Sequence, residues 1–109
     1  MDWDFWHQVK SGVELASGWP PASLHVLFGV NGQWLIAALL RRSLASALPW
    51  TAVLLFELAN EGHDLWFEQW PSRAQQMAEG AGDIVLTMFL PTLLLFAARS
   101  WPALLVGRP

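Results

Sequence analysis

Apolar residues in this chain gather into three long runs separated by short polar connections. The first runs from Leu24 to Leu40 and is closed by Arg41 and Arg42. The second begins near Pro49 and ends near Trp66, and the third extends from Asp83 to Ala98 with Arg99 behind it. Each is 16 to 18 residues long, at the lower edge of the ~17–25 residues that span a bilayer as a helix. A soluble helix keeps a polar face along its whole length, and Val26 to Leu40 offers almost none. Pro20-Pro21-Ala22-Ser23 precedes the first run and Pro49 suits the opening turn of the second, where a missing N–H costs nothing. Pro91 predicts a kink inside the third, which neighbouring helices accommodate. The pattern predicts an all-α integral membrane protein, one domain over 1–109, with three transmembrane helices at 23–40, 49–66 and 83–98.

The flanking segments add two shorter elements. Residues 2–16 place Trp6, Val9, Val13 and Ala16 on one helical face, with Asp4, Lys10 and Glu14 elsewhere, and acids in the first turn suit the helix dipole. This predicts an N-terminal amphipathic helix lying in the membrane interface. In the connection 67–82, Ser72 with Gln75 has the form of a capping box and Gly80 can close a short helix over Arg73–Glu79. Residues 99–109 form a tail.

Charge then orients the helices. Four of the six Lys and Arg (Arg41, Arg42, Arg99 and Arg108) lie in the first connection and the tail, which hold none of the nine acids. The positive-inside rule makes those segments cytoplasmic, giving an N-out, C-in topology and a multi-pass protein of the inner (cytoplasmic) membrane. The acidic start Met1-Asp2-Trp3-Asp4 is unlike the basic start of a secretory leader.

Composition agrees. Charged residues are 14% of the chain, against ~25% in ordinary soluble domains. Eight Trp accompany no Tyr, and indoles favour bilayer interfaces. On this topology Trp3, Trp6, Trp19, Trp66 and Trp70 gather at the outer interface, Trp50 and Trp101 mark the inner one, and Trp34 falls mid-span. No cysteine is present, which excludes disulfides and thiolate chemistry. A net charge of −3 without a basic patch gives nucleic acid no electrostatic footing. Membrane lipid is the expected partner, and the small, Trp-rich surface also suits self-association or a protein partner.

Ionisable groups inside a span cost roughly 2.5–3.5 kcal/mol each on insertion scales and call for a reason. The second helix carries Glu57, Asn60, Glu61 and Asp64 at spacings that share one face. The third carries Asp83 and Thr87 four apart, with Pro91 four further on, and the first carries His25, Gly29, Gly32 and Gln33. At ~1.5 Å per residue, Gln33 and Glu57 lie about 10–12 Å deeper than the outer ends of their helices. Glycines at 29 and 32 permit close helix approach. The three stripes therefore converge on one polar cluster in the outer half of the membrane. Its members satisfy one another across helices, His25 with Asp83 or Glu61 and Gln33 with Glu57, or hold a ligand. Packed carboxyls repel, so at least one is expected to hold a proton or to be shared with a cation or ligand.

A metal set drawn from His25, Glu61, His63 and Asp64 or Asp83 has no recognised spacing, and His63 points away from Glu61, so no metal is assigned. Acid–base work on a lipid-linked substrate suits a His with carboxylates, but no nucleophile motif is present and no catalytic residue is assigned. Ala59 four before His63 leaves room for a pigment macrocycle, a weak pattern; no cofactor is assigned.

The run Glu57-Leu-Ala-Asn60, then Arg73, then Gly82-Asp83-Ile-Val-Leu-Thr87, resembles the VanZ-like membrane family. His25, Glu57, Arg73 and Asp83 match that family's His, Glu, Arg and Asp in type and order, while Asn60, Thr87 and Leu90 stand where Gln, Asn and Gly are usual. The resemblance implies an extracytoplasmic polar site built from His25, Glu57, Asn60, Arg73 and Asp83, in a family associated with glycopeptide resistance. Together the readings give a ligand-binding set of His25, Gln33, Glu57, Asn60, Glu61, Asp64, Arg73, Asp83 and Thr87, for a polar or lipid-linked ligand and without assigned catalysis. The alternative is a non-catalytic accessory subunit of a larger membrane complex.

Overall fold

The computed structural model describes residues 3–68 and 70–103. Asp2, Gln69 and the tail beyond residue 103, Arg108 included, lie outside the described residues, as do the side chains of Trp3 and Asp4. Four helices follow one another: α1 (Trp3–Ser17), α2 (Pro21–Leu40), α3 (Ala47–Phe67) and α4 (Arg73–Ser100). No strand occurs among the described residues.

Local chemistry sets most boundaries. Gly18, at φ 67°, ends α1 in the left-handed conformation that glycine adopts without strain, and Pro21 opens α2. The Ser46 hydroxyl accepts from the Leu48 N–H and the Ser72 hydroxyl from the Gln75 N–H, capping α3 and α4. Arg41 closes α2 at φ 53°, with the Arg42 N–H donating to the Ala37 carbonyl at 2.8 Å, the 6→1 bond of a Schellman ending.

The expected short helix over Arg73–Glu79 and the third span at 83–98 are one continuous 28-residue helix. Gly80 does not terminate it. A helix stops at glycine when the chain beyond can leave, and here Gly80 keeps helical geometry because Glu61 packs against it: a Cβ at this position would stand 3.0 Å from Glu61 Oε2.

Helices α2, α3 and α4 pack against one another. Contacts between α2 and α4 step in parallel, His25 to Asp83, Gly29 to Thr87 and Gln33 to Pro91. Those between α3 and α4 run antiparallel, from Trp50 on Thr92 to Arg73 on the Leu65 carbonyl. The tightest point is Gly29. Pro91 has no N–H, so the Thr87 carbonyl one turn earlier lacks its helical donor. Gly29 lies against that oxygen, where a Cβ would come within 1.9 Å.

The interior is inverted relative to a soluble bundle. Among the described residues the buried side chains are six apolar ones, Ala37, Pro49, Val53, Met88, Pro91 and Ala98, and six polar ones, Gln33, Glu57, Glu61, His63, Gln76 and Thr87. Phe28, Trp34, Leu35, Val85, Phe89 and Phe96 face outward. Among the described residues two helices, α2 and α4, are long and apolar enough to cross a membrane, where three were expected. The missing one is α3, because Glu57, Glu61 and Asp64 interrupt its apolar run.

Candidate functional site

The site is assembled at the end of the bundle where α2 and α4 begin their packed stretch and α3 nears its end. His25 is its centre. Its Nδ1 lies 3.1 Å from Thr87 Oγ1 and 3.5 Å from Glu57 Oε1, while Nε2 lies 3.5 Å from Asp83 Oδ2. Thr87 is 0% exposed and Glu57 1%, so Nδ1 faces the closed interior and Nε2 faces the partly open side. One turn along α3 from Glu57, Glu61 packs on Gly80. The Oε1 atoms of Glu57 and Glu61 have no hydrogen-bond partner, although both are buried. Buried orphan acceptors are uncommon in native proteins and mark a place where something further binds or where strain is stored.

A pocket of about 70 Å³ opens beside Glu61 and Asp83. Asp64, Glu68 and Glu79 also line it, and no Lys or Arg does. Among the described residues, no Lys or Arg forms a salt bridge with Glu57, Glu61 or Asp83; the imidazole of His25 faces Glu57 and Asp83, and Lys10 pairs with the neighbouring Asp64.

Five of the nine predicted residues thus converge: His25, Glu57, Glu61, Asp83 and Thr87. The other four are engaged elsewhere or at the edge. Gln33 was expected to meet Glu57; it donates instead to the Pro91 carbonyl at 3.1 Å, two turns deeper on α2 than His25. Glu57 sits at the level of His25, its Oε1 3.5 Å from Nδ1, and not at the level of Gln33. Asn60 faces α1, accepting from Trp6 Nε1 at 3.1 Å and Lys10 Nζ at 2.9 Å. Asp64 lines the pocket and also accepts from Lys10 at 2.5 Å. Arg73 does not join the cluster: it donates to the Leu65 carbonyl at 2.8 Å and to Gln76 Oε1 at 3.1 Å, beside an outer hollow lined by Leu65, Trp66 and Met77.

Sequence reasoning missed Trp6 and Lys10, which fasten α1 to α3. Their four-residue spacing puts them on one face, but grouping α1 by its apolar side assigned Lys10 elsewhere. The observed docking face joins Trp6 of the apolar side, edge-on to Phe56, with Lys10 of the polar side, and Val9 and Val13 remain at the surface. His63, read from helical geometry as pointing away from Glu61, is 5% exposed and stacks on Phe67 at 4.6 Å.

Against known proteins the chain stands apart. It matches no protein-family model, no curated protein and no solved structure.

Proposed function

We propose that this chain is a multi-pass inner-membrane protein, N-terminus out and C-terminus in, whose polar cluster binds a lipid-linked or extracytoplasmic polar ligand. The observation that carries the reading is the inverted interior: large apolar side chains outside, Gln33, Glu57, Glu61 and Thr87 inside. In water such a surface favours aggregation; in lipid it is the ordinary arrangement, with ionisable groups turned toward the bundle. On this reading α3 is the third span, its carboxyls shielded by α2 and α4. At 20 residues α2 is about 30 Å long, the thickness of the hydrocarbon core. Arg41, Arg42 and Arg99 share the end of the bundle opposite His25, since Arg99 Nε donates to the Ala45 carbonyl in the first connection; the positive-inside rule makes that end cytoplasmic. The VanZ-like resemblance is supported by the meeting of His25, Glu57 and Asp83, and the position of Arg73 departs from it.

The absence of native cysteine makes single-cysteine reporters clean. In intact cells, Pro71→Cys is expected to react with a membrane-impermeant maleimide and Ser43→Cys only after permeabilisation. The reverse pattern removes the topology. The ligand reading is tested by native mass spectrometry of protein extracted gently from its own membranes. The wild type is expected to retain a specific lipid or polar molecule, and Asp83→Asn to lose it while accumulating normally. Recovery inside a fixed assembly with other chains, with cargo indifferent to Asp83→Asn, favours an accessory subunit instead.

A further inference from the structure

We propose that His25, Glu61 and Asp83 bind a first-row divalent cation of the zinc class, held where the polar cluster meets its pocket. This deepens the ligand-site reading of the cluster and rests on it. One ligand atom from each residue lies within 4.8 Å of the other two. The His25 Nε2 to Asp83 Oδ2 distance of 3.5 Å is close to the ~3.4 Å edge of a tetrahedron with ~2.1 Å bonds. No recognised spacing announced the set, because each of α2, α3 and α4 contributes one ligand.

Three independent features point to a cation. The first is orientation of the imidazole. Ligating histidines are usually fixed by a hydrogen bond from the other ring nitrogen, and here Nδ1 faces the buried hydroxyl of Thr87 at 3.1 Å, which leaves Nε2 toward Asp83. The second is Glu61, 8% exposed, whose Oε1 has no hydrogen-bond partner. A buried acceptor among other carboxylates gains most from a positive charge, and among the described residues no Lys or Arg pairs with Glu61. The third is the pocket. Its carboxylate lining concentrates cations, and about 70 Å³ holds a hydrated ion or a few waters, far below the ~300–1,000 Å³ of organic-ligand sites. One imidazole with two carboxylates favours a first-row ion such as zinc over magnesium or calcium. Three protein ligands leave a position open toward the pocket, where water or an anionic group of a larger ligand completes the shell. An anion could not otherwise approach this many carboxylates.

The test uses the full chain, tag removed, in detergent micelles, stripped with chelator and titrated with zinc chloride alone by calorimetry. Native mass spectrometry gives the stoichiometry. One ion per chain is expected. Thr87→Val, which leaves all three ligands in place, is expected to weaken binding ~10–100-fold, the usual cost of losing an outer-shell partner, and His25→Gln and Asp83→Asn by more. Glu14→Gln, on the exposed face of α1 and outside the pocket, is expected to bind as the wild type does. Cobalt substitution gives a readout on the wild type itself: visible d–d bands of a tetrahedral N/O site support the proposal, and an octahedral aquo spectrum overturns it. Zinc binding that is absent, or unchanged in His25→Gln and Asp83→Asn, also overturns it. If zinc does not bind but Asp83→Asn still loses a retained lipid, the cation site falls and the ligand-site reading stands; if neither responds to Asp83→Asn, both fall.

Discussion

Gly29→Ala is expected to unfold the bundle at a markedly lower temperature than the wild type in detergent, followed by helical circular dichroism. An added Cβ would stand 1.9 Å from the Thr87 carbonyl oxygen and 2.9 Å from its carbonyl carbon. Overpacking a core by one methyl group costs typically ~1–3 kcal/mol when side chains can shift. Here the obstacle is backbone of a helix locked by its own hydrogen bonds, so the whole of α2 must move away from α4. That movement also separates His25 from Asp83 and Gln33 from Pro91, because all three contacts lie on one stripe. Gly62→Ala is the control: α3 is helical there and nothing lies within 4 Å of an added Cβ. Alanine is the better helix former by ~0.8–1.0 kcal/mol, so this variant is expected to melt no lower than the wild type. Equal melting of the two variants would remove the close approach at Thr87 from the account.

His25→Leu is expected to be the most destabilising change within the cluster, and Glu57→Gln to relieve part of the damage. The imidazole touches Thr87, Glu57 and Asp83 from two sides. Without it Glu57, 1% exposed, loses the imidazole that faces its Oε1 at 3.5 Å and cannot recover water. Removing one partner of a buried pair costs ~3–5 kcal/mol, mostly as the penalty on the group left behind. Glutamine at 57 keeps the shape and removes the charge. A double-mutant cycle over His25→Leu and Glu57→Gln, read by thermal or denaturant unfolding in detergent, is therefore expected to give a coupling of about 0.5–3 kcal/mol. Strict additivity would mean that the two side chains do not interact in the folded protein.

Both predictions depend on positions whose type was legible in the sequence and whose partners were not. The stripe His25, Gly29, Gln33 and the stripe Asp83, Thr87, Pro91 follow from four-residue spacing on a helix. Their pairing one-to-one does not, because spacing within one helix carries no information about the axial offset of another. The pairing of Gln33 with Glu57, inferred from depth below the helix ends, failed for that reason. The offset is set where Gly29 meets the Thr87 carbonyl, and this places Gln33 at Pro91.

What the sequence determined by itself is what depends on near neighbours in the chain. The apolar runs, the prolines before or within the first turns of α2 and α3, and the hydroxyl of Ser72 gave the helices and most of their starts, since propensity and capping act within a few residues. The inward placement of Glu57 and Glu61 on α3 was expected from the cost that an ionisable group would meet facing lipid. The tertiary structure alone decided whatever needs atoms distant in sequence. It carried α4 through Gly80, because Glu61 of another helix packs there. It gave Asn60 to Trp6 and Lys10, which a view of α1 as an apolar face had passed over. It turned Arg73 to the Leu65 carbonyl and away from the carboxylates, and it brought His25, Glu61 and Asp83 within reach of a single ion. Each of these outcomes is fixed by packing between helices, where one methyl group or one carbonyl sets the distance and no local rule describes it.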